Sequence, residues 1–185
     1  MDNGASSYRR FLSGDDNSMV ELVTLYSDSL MLYLNSYVND IHIAEDLMQE
    51  AFIRLAVKKP KYNEKKGSFK TWFYTISRNI AIDYLRKTTN KKSISLDDCP
   101  ELESASDTEE KLLINERNKE LYITLKSIKA EYRQVLYLVF FEEFDNNEIA
   151  KIFRKNKRQI ENLLYNAKKA LKSELERRGF EYEKL

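Results

Sequence analysis

The sequence predicts an all-α fold of two small helical domains joined by a flexible acidic linker, and three observations predict it. The chain of 185 residues holds only two Pro and four Gly, so the usual helix breakers are scarce. Its apolar residues recur at three- and four-residue steps, and no stretch sustains the period-two alternation of a half-buried strand. Residues 93–110, SISLDDCPELESASDTEE, carry seven acids, four Ser and one Pro without a Lys or Arg, a composition that reads as a linker rather than a core. The expected layout is a flexible N-terminus over 1–17, a first domain over 18–92, the linker over 93–110, a second domain over 111–178 and a tail over 179–185.

Residues 1–16 are polar, and fraying is expected there apart from a Tyr8-Phe11-Leu12 cluster able to dock as a turn. From Ser18 to Val38, Val20, Leu22, Val23, Leu25, Tyr26, Leu30, Leu34 and Val38 trace a helix, entered through Asn17 or Ser18 as a cap with Glu21 three residues after Ser18. After the turn Asn39-Asp40, the run IHIAEDLMQEAFIRLA predicts a second helix with Ile43, Leu47, Ala51 and Leu55 inward. Glu45, Asp46, Gln49, Glu50 and Arg54 then lie on exposed faces, and His42 at the entrance reads as a surface or capping residue.

Pro60 and Gly67 bound a loop, KKPKYNEKKGS, with five Lys around Tyr62 and Asn63. A helix follows with Ser68 as its N-cap, holds the only Trp, and is expected to fade near Thr88. Phe69, Trp72, Phe73, Ile76, Ile80 and Tyr84 form its inward stripe, which assigns Trp72 to the core. Lys70, Tyr74, Ser77, Arg78, Asn79 and Arg86 point elsewhere. Cations, aromatic surface and amide on one side suit a nucleic-acid backbone with unstacked bases, with Tyr74 the better stacking candidate.

Helical patterning resumes near Glu109 and again from Glu131 to Phe141. Asn146–Phe153 predicts a brief helix, Arg154-Lys155-Asn156 a tight connection capped by Asn156, and Lys157 to about Arg178 a long basic helix with Ile160, Leu164, Ala167 and Leu171 inward. A short helix, a three-residue turn and a longer basic helix is the helix-turn-helix arrangement, whose second helix enters the major groove. A helical hairpin without a DNA role has the same periodicity.

The formal net charge of +1 conceals segregation. Arg54–Lys92 holds twelve Lys or Arg against two acids, Lys151–Arg178 ten against three, and residues 1–53 two against nine. Two separated basic blocks on a near-neutral chain point to two nucleic-acid contacts; two solvated helix faces would read alike. Cys99 and His42 are each alone, so neither an intramolecular disulfide nor a Cys/His metal cluster is expected. No stretch approaches the roughly 18 apolar residues of a membrane span, and the N-terminus lacks a signal-peptide core, so the expectation is a cytoplasmic protein without membrane insertion. GSFKT lacks the second Gly and Lys-Ser/Thr pair of a phosphate loop, and no nucleophile has a His partner. No catalytic residue, metal or cofactor is therefore expected.

Three stretches, AEDLMQEAFIRL (Ala44–Leu55), FKTWFYTISRNIAIDYLRK (Phe69–Lys87) and YRQVLYLVFFEEFDNNEIAKIF with NLLYNAKKALK (Tyr132–Lys172), together resemble the bacterial RNA polymerase sigma factors, specifically the extracytoplasmic-function (ECF) group of the sigma-70 family. The resemblance covers about residues 18–178. It implies a first domain similar to sigma region 2 and a second similar to region 4, reading the -10 and -35 promoter elements. Its implied partners are core RNA polymerase, through the β′ clamp helices and the β flap, and promoter DNA. An 18-residue linker is too short for the intermediate domain of larger sigma factors, and control is expected from a separate anti-sigma factor.

The resemblance also implies residue roles. Asp46, Gln49 and Glu50 match the surface that docks on the clamp helices. The loop Lys58–Ser68 matches the one that captures a flipped non-template base, with Tyr62 as aromatic lining beside Lys61 and Asn63, while Asn79 matches a base-contacting position; Lys58, Lys59, Lys61, Lys65, Lys66, Lys70 and Arg78 would then hold the phosphates. Lys157, Arg158, Glu161, Asn162, Tyr165 and Lys169 would face the -35 duplex. The chain departs from the family at the turn, where Arg154 and Lys155 stand in place of the common Gly and apolar residue, and at Glu161 and Leu163, where basic residues are frequent. A stand-alone helix-turn-helix regulator that binds duplex DNA without the polymerase is the alternative.

Overall fold

The computed structural model describes residues 4–94 and 123–179, and among the described residues every regular element is helical. The order is α1 (Ala5–Leu12), α2 (Asn17–Val38), α3 (Ile41–Lys58), a 3-10 turn (Glu64–Lys66), α4 (Phe69–Ile94), α5 (described over 123–127), α6 (Ala130–Phe140), α7 (Asn146–Phe153) and α8 (Lys157–Arg177). The expected linker beyond residue 94, with Cys99, and the patterning expected from Glu109 up to residue 122 lie outside the described residues.

In the first half α2, α3 and α4 pack on one another around Leu22, Leu30, Leu34, Leu47, Leu55, Phe69, Phe73 and Ile80. Asn39 ends α2 in the left-handed conformation that Asn tolerates, and the Asp40 side chain then caps α3 by accepting from the backbone N–H groups of His42 and Ile43 at 3.0 and 3.1 Å. His42 itself is exposed. The entrance to α2 differs from expectation. Its cap position is Asp16, without a side-chain hydrogen bond, because Ser18 is buried and donates its hydroxyl back to the Asp15 carbonyl. The N-terminal stretch also differs: residues 5–12 form a helix that is held by burial of Tyr8 and Phe11, with Leu12 left exposed.

In the second half Val135, Leu138, Ile149, Ile152, Phe153, Ile160 and Ala167 form the core of α6, α7 and α8. Both helices of the hairpin start with reciprocal capping boxes, Asp145 with Glu148 and Asn156 with Gln159. The turn closes with Arg154 in the left-handed conformation (φ 55°), a strain a Gly would avoid, and Lys155 donates its N–H to the Ala150 carbonyl at 2.9 Å.

The halves pack together. α6 lies on α2, where the Arg133 Nε donates to the Ser36 carbonyl (3.0 Å) and the Tyr137 hydroxyl to the Ser29 carbonyl (2.9 Å). α7 lies on α4, which is therefore buried on two sides: Phe69, Phe73 and Ile80 toward the first core, and Tyr74 among residues of both halves.

Candidate nucleic-acid interface

Local hydrogen bonds shape the loop between α3 and α4. Lys59 leaves α3 in the left-handed conformation, the Asn63 side chain accepts from the Lys65 N–H at 3.0 Å to start the 3-10 turn, and the Tyr62 hydroxyl donates to the Gly67 carbonyl at 2.9 Å. Tyr62 is half-buried, its ring 5.3 Å from Trp72 and 5.5 Å edge-on from Phe69. Lys58, Lys59, Lys61, Asn63, Lys65 and Lys66 are exposed around this aromatic floor. Cations rimming a fixed aromatic surface can hold phosphates while a base stacks inside. Ser68 accepts from the Thr71 N–H at 3.2 Å, so it starts α4 as predicted.

Along α4 the predicted residues divide. Asn79 is half-exposed and lines a groove with Arg78, Ile82, Asp83, Arg86 and Arg154, three guanidinium groups against one carboxylate. Lys70, Tyr74 and Arg78 face the second half. The Lys70 ammonium pairs with the Glu142 carboxylate at 2.9 Å, also donates to the Glu142 carbonyl at 2.8 Å, and lies 4.8 Å from the Phe144 ring centroid. The Arg78 guanidinium stacks over Phe153 at 5.0 Å. Tyr74 is wholly buried against Tyr33 and Phe144, its hydroxyl 3.0 Å from Ser29 Oγ. Burial, with Glu142 beside it, pushes its phenol far above the ordinary range. Trp72, expected in the core, is half-buried under the loop.

On α3, Asp46, Gln49 and Glu50 are all exposed, with Glu50 bridged to Arg54 at 2.8 Å. Sequence reasoning missed two neighbours on the same face. Ile53 and Val57 are 58 % and 75 % exposed, and their spacing of seven and eleven residues from Asp46 continues its stripe along the helix. That spacing was the available signal.

On α8, Lys157, Arg158, Glu161, Asn162, Tyr165 and Lys169 are all exposed, with Tyr165 at 69 %. Lys157 and Glu161 stand 4.0 Å apart on the outer face, which offsets part of the local positive charge. Arg154, not among the expected contacts, is exposed at the head of this face.

The family description "Sigma-70 region 2" matches residues 22–91, and "Sigma-70, region 4" matches residues 119–171. The chain is 28 % identical to "ECF RNA polymerase sigma factor SigM" of Bacillus subtilis (strain 168), over 83 % of this chain and 92 % of that protein. It is 30 % identical to "RNA polymerase sigma factor SigZ" of the same organism, over 68 % of each. Among solved structures, its fold is similar to CnrH in complex with the cytosolic domain of CnrY (TM-score 0.65, 16 % identity, 94 % of this chain and 95 % of that one). It is similar also to the sigma factor RpoE in complex with the anti-sigma factor NepR from Bartonella quintana (TM-score 0.65, 19 % identity, 84 % and 95 %).

Proposed function

We infer how this chain works from the fact that it belongs to the sigma-70 family of RNA polymerase sigma factors, in the ECF group. It binds core polymerase, recognises the -10 and -35 promoter elements and promotes strand opening and transcription initiation. It is a regulatory protein of transcription, acting in the cytoplasm; no helix among the described residues is long and apolar enough to cross a membrane.

The observation that carries the division of labour is the separation of three exposed surfaces on two helical units. The acidic face of α3 and the cationic loop before α4 belong to one unit, and the open face of α8 to the other. Asp46, Gln49 and Glu50 dock on the β′ clamp helices, with Ile53 and Val57 supplying the apolar centre that a stable interface needs. Tyr62, with Lys61 and Asn63 around it, receives an unstacked base of the -10 strand. Unstacking costs a few kcal/mol, which aromatic stacking of about 1 to 3 kcal/mol per base and phosphate contacts offset. Asn79 reads a neighbouring base from the groove on α4. On α8, Lys157 and Arg158 reach the -35 duplex first, followed by Glu161, Asn162, Tyr165 and Lys169; this half also meets the β flap.

Lys70, Tyr74 and Arg78 are spent on contacts between the halves in the conformation described. Lys70 and Arg78 therefore reach a DNA strand only after α7 leaves α4. A separate anti-sigma factor supplies the control; what supports this is that a protein of the same fold is held in a complex with such a factor.

The test mixes the protein with sigma-free core polymerase and linear promoter DNA and reads run-off transcription. Specific run-off transcripts are expected. Tight duplex binding without core association would instead favour a stand-alone regulator.

A further inference from the structure

The N-terminal helix α1 precedes the residues that match region 2, yet it holds the loop between α3 and α4 at three points. At the loop's start, the Tyr8 hydroxyl donates to the Pro60 carbonyl at 2.7 Å. One residue earlier, the Lys59 ammonium lies 4.9 Å from the Phe11 ring centroid. In the loop's middle, Arg9 pairs with Glu64 at 3.0 Å. Tyr8 is wholly buried, with its ring 5.3 Å from Phe69 and 5.5 Å from Trp72, the two rings that also hold Tyr62. The entry to α1 is seated as closely. Gly4 has φ 87°, and a Cβ there would lie 2.8 Å from Leu22 Cδ2 and 3.1 Å from Phe69 Cδ1, so this end of the helix has one place to sit.

Core filling alone explains the rings but not the polar contacts. A buried phenol needs a partner, and the one Tyr8 has is a carbonyl of the loop. Arg9 and Glu64 are both more than half exposed, so their pairing fills no core either. The three contacts act on the position of the loop relative to α4, and Tyr62 spans that distance.

Resting on the reading of this loop as the one that receives the -10 base, we propose that α1 is a positioning element for promoter opening: Tyr8 and Arg9 hold the loop at the spacing at which Tyr62 and the aromatic floor accept a base. Neither residue touches DNA in this role. Tyr8 fixes the loop's start and Arg9 its middle, and the pair determine how strictly the site discriminates the -10 base.

The test uses full-length protein in holoenzyme with Tyr8→Phe, Arg9→Glu, the swap Arg9→Glu with Glu64→Arg, and Tyr62→Ala. Thermal melting and core affinity are measured beside permanganate reactivity of the -10 strand, on the cognate promoter and on one with a single -10 base substitution. Tyr8→Phe keeps the ring and removes only the hydroxyl. With core affinity unchanged, it is expected to lower cognate opening about three- to ten-fold, the effect of one hydrogen bond, and to narrow discrimination between the two promoters. Arg9→Glu acts in the same direction, and the swap restores opening. Wild-type opening and discrimination in both Tyr8→Phe and Arg9→Glu, with Tyr62→Ala defective, would overturn the positioning role while leaving the loop's function in place. Unchanged opening in Tyr62→Ala would remove the loop reading and this inference with it.

Discussion

The Lys70 ammonium lies 2.9 Å from the carboxylate of Glu142, a side chain only 6 % exposed, and this pair joins the helix that carries the proposed -10 surface to the segment leading into the helix-turn-helix. Removing the charge of a nearly buried partner leaves the other uncompensated. Glu142→Gln is therefore expected to weaken the closed arrangement by about 1 to 3 kcal/mol. Fluorophores on α3 and α8 should report a larger mean separation, and the free protein should bind single-stranded -10 DNA more tightly. An unchanged separation would show that the remaining contacts between the halves hold them without this ion pair.

On α3, Asp46→Ala and Ile53→Glu change exposed positions, so thermal stability should move by less than about 0.5 kcal/mol. Each should lower core polymerase affinity tenfold or more, the effect expected of residues near the centre of an interface. Retained affinity in both would contradict the docking assignment. Duplex binding by α8 should be unaltered in either variant.

At the hairpin turn, Arg154→Gly relieves a left-handed residue and should stabilise the second half by up to about 1 kcal/mol. The same change removes a cation from the head of the α8 face. Binding to -35 duplex should weaken, and the slope of log affinity against log salt should become shallower by about one. Lys157→Ala should reproduce the salt effect without the gain in melting temperature.

Alkaline titration reads the buried tyrosines. Burial raises the phenols of Tyr8, Tyr33, Tyr37, Tyr74 and Tyr137 above their ordinary value of 10.0, those of Tyr8 and Tyr37 to about 12. Each favours the folded chain while neutral. Their contribution is complete below pH 10, declines as the unfolded chain ionises above it, and for Tyr8 and Tyr37 is lost as pH passes about 12. Tyrosinate absorbance at these positions should appear only together with loss of near-UV circular dichroism. Ionisation of all twelve tyrosines before any such loss would contradict the burial.

The helices of both halves were legible because burial imposes a period: Phe69, Phe73 and Ile80, or Ile160 and Ala167, could be assigned inward from spacing alone. Caps with a short polar side chain, Asp145 and Asn156, were legible for a similar reason, although only Asn156 was predicted. The second side of α4 was not. Tyr74 and Ser77 looked outward because one stripe already accounted for a core, and no local pattern reveals that another helical unit covers the opposite face. The few apolar residues in α1 show no period, and the helix exists because Tyr8 finds its partners Pro60, Phe69 and Trp72 far along the chain. Of the candidate site, the exposed faces of α3 and α8 and the cations of the loop could be read; the face of Tyr74, and which cations were already engaged, could not, since Glu142 and Phe153 are distant in sequence from Lys70 and Arg78.

Glu148 divides its carboxylate between two helices. Oε2 accepts from the Asp145 N–H and completes the cap of its own helix, while Oε1 accepts from the hydroxyls of Thr71 (2.9 Å) and Ser68 (3.3 Å) at the head of α4. At this one contact the two halves meet on a single carboxylate oxygen. Replacing the two hydroxyls on Oε1 by water would leave the cap on Oε2 made, so this side chain serves the start of its own helix whether or not α4 lies against it.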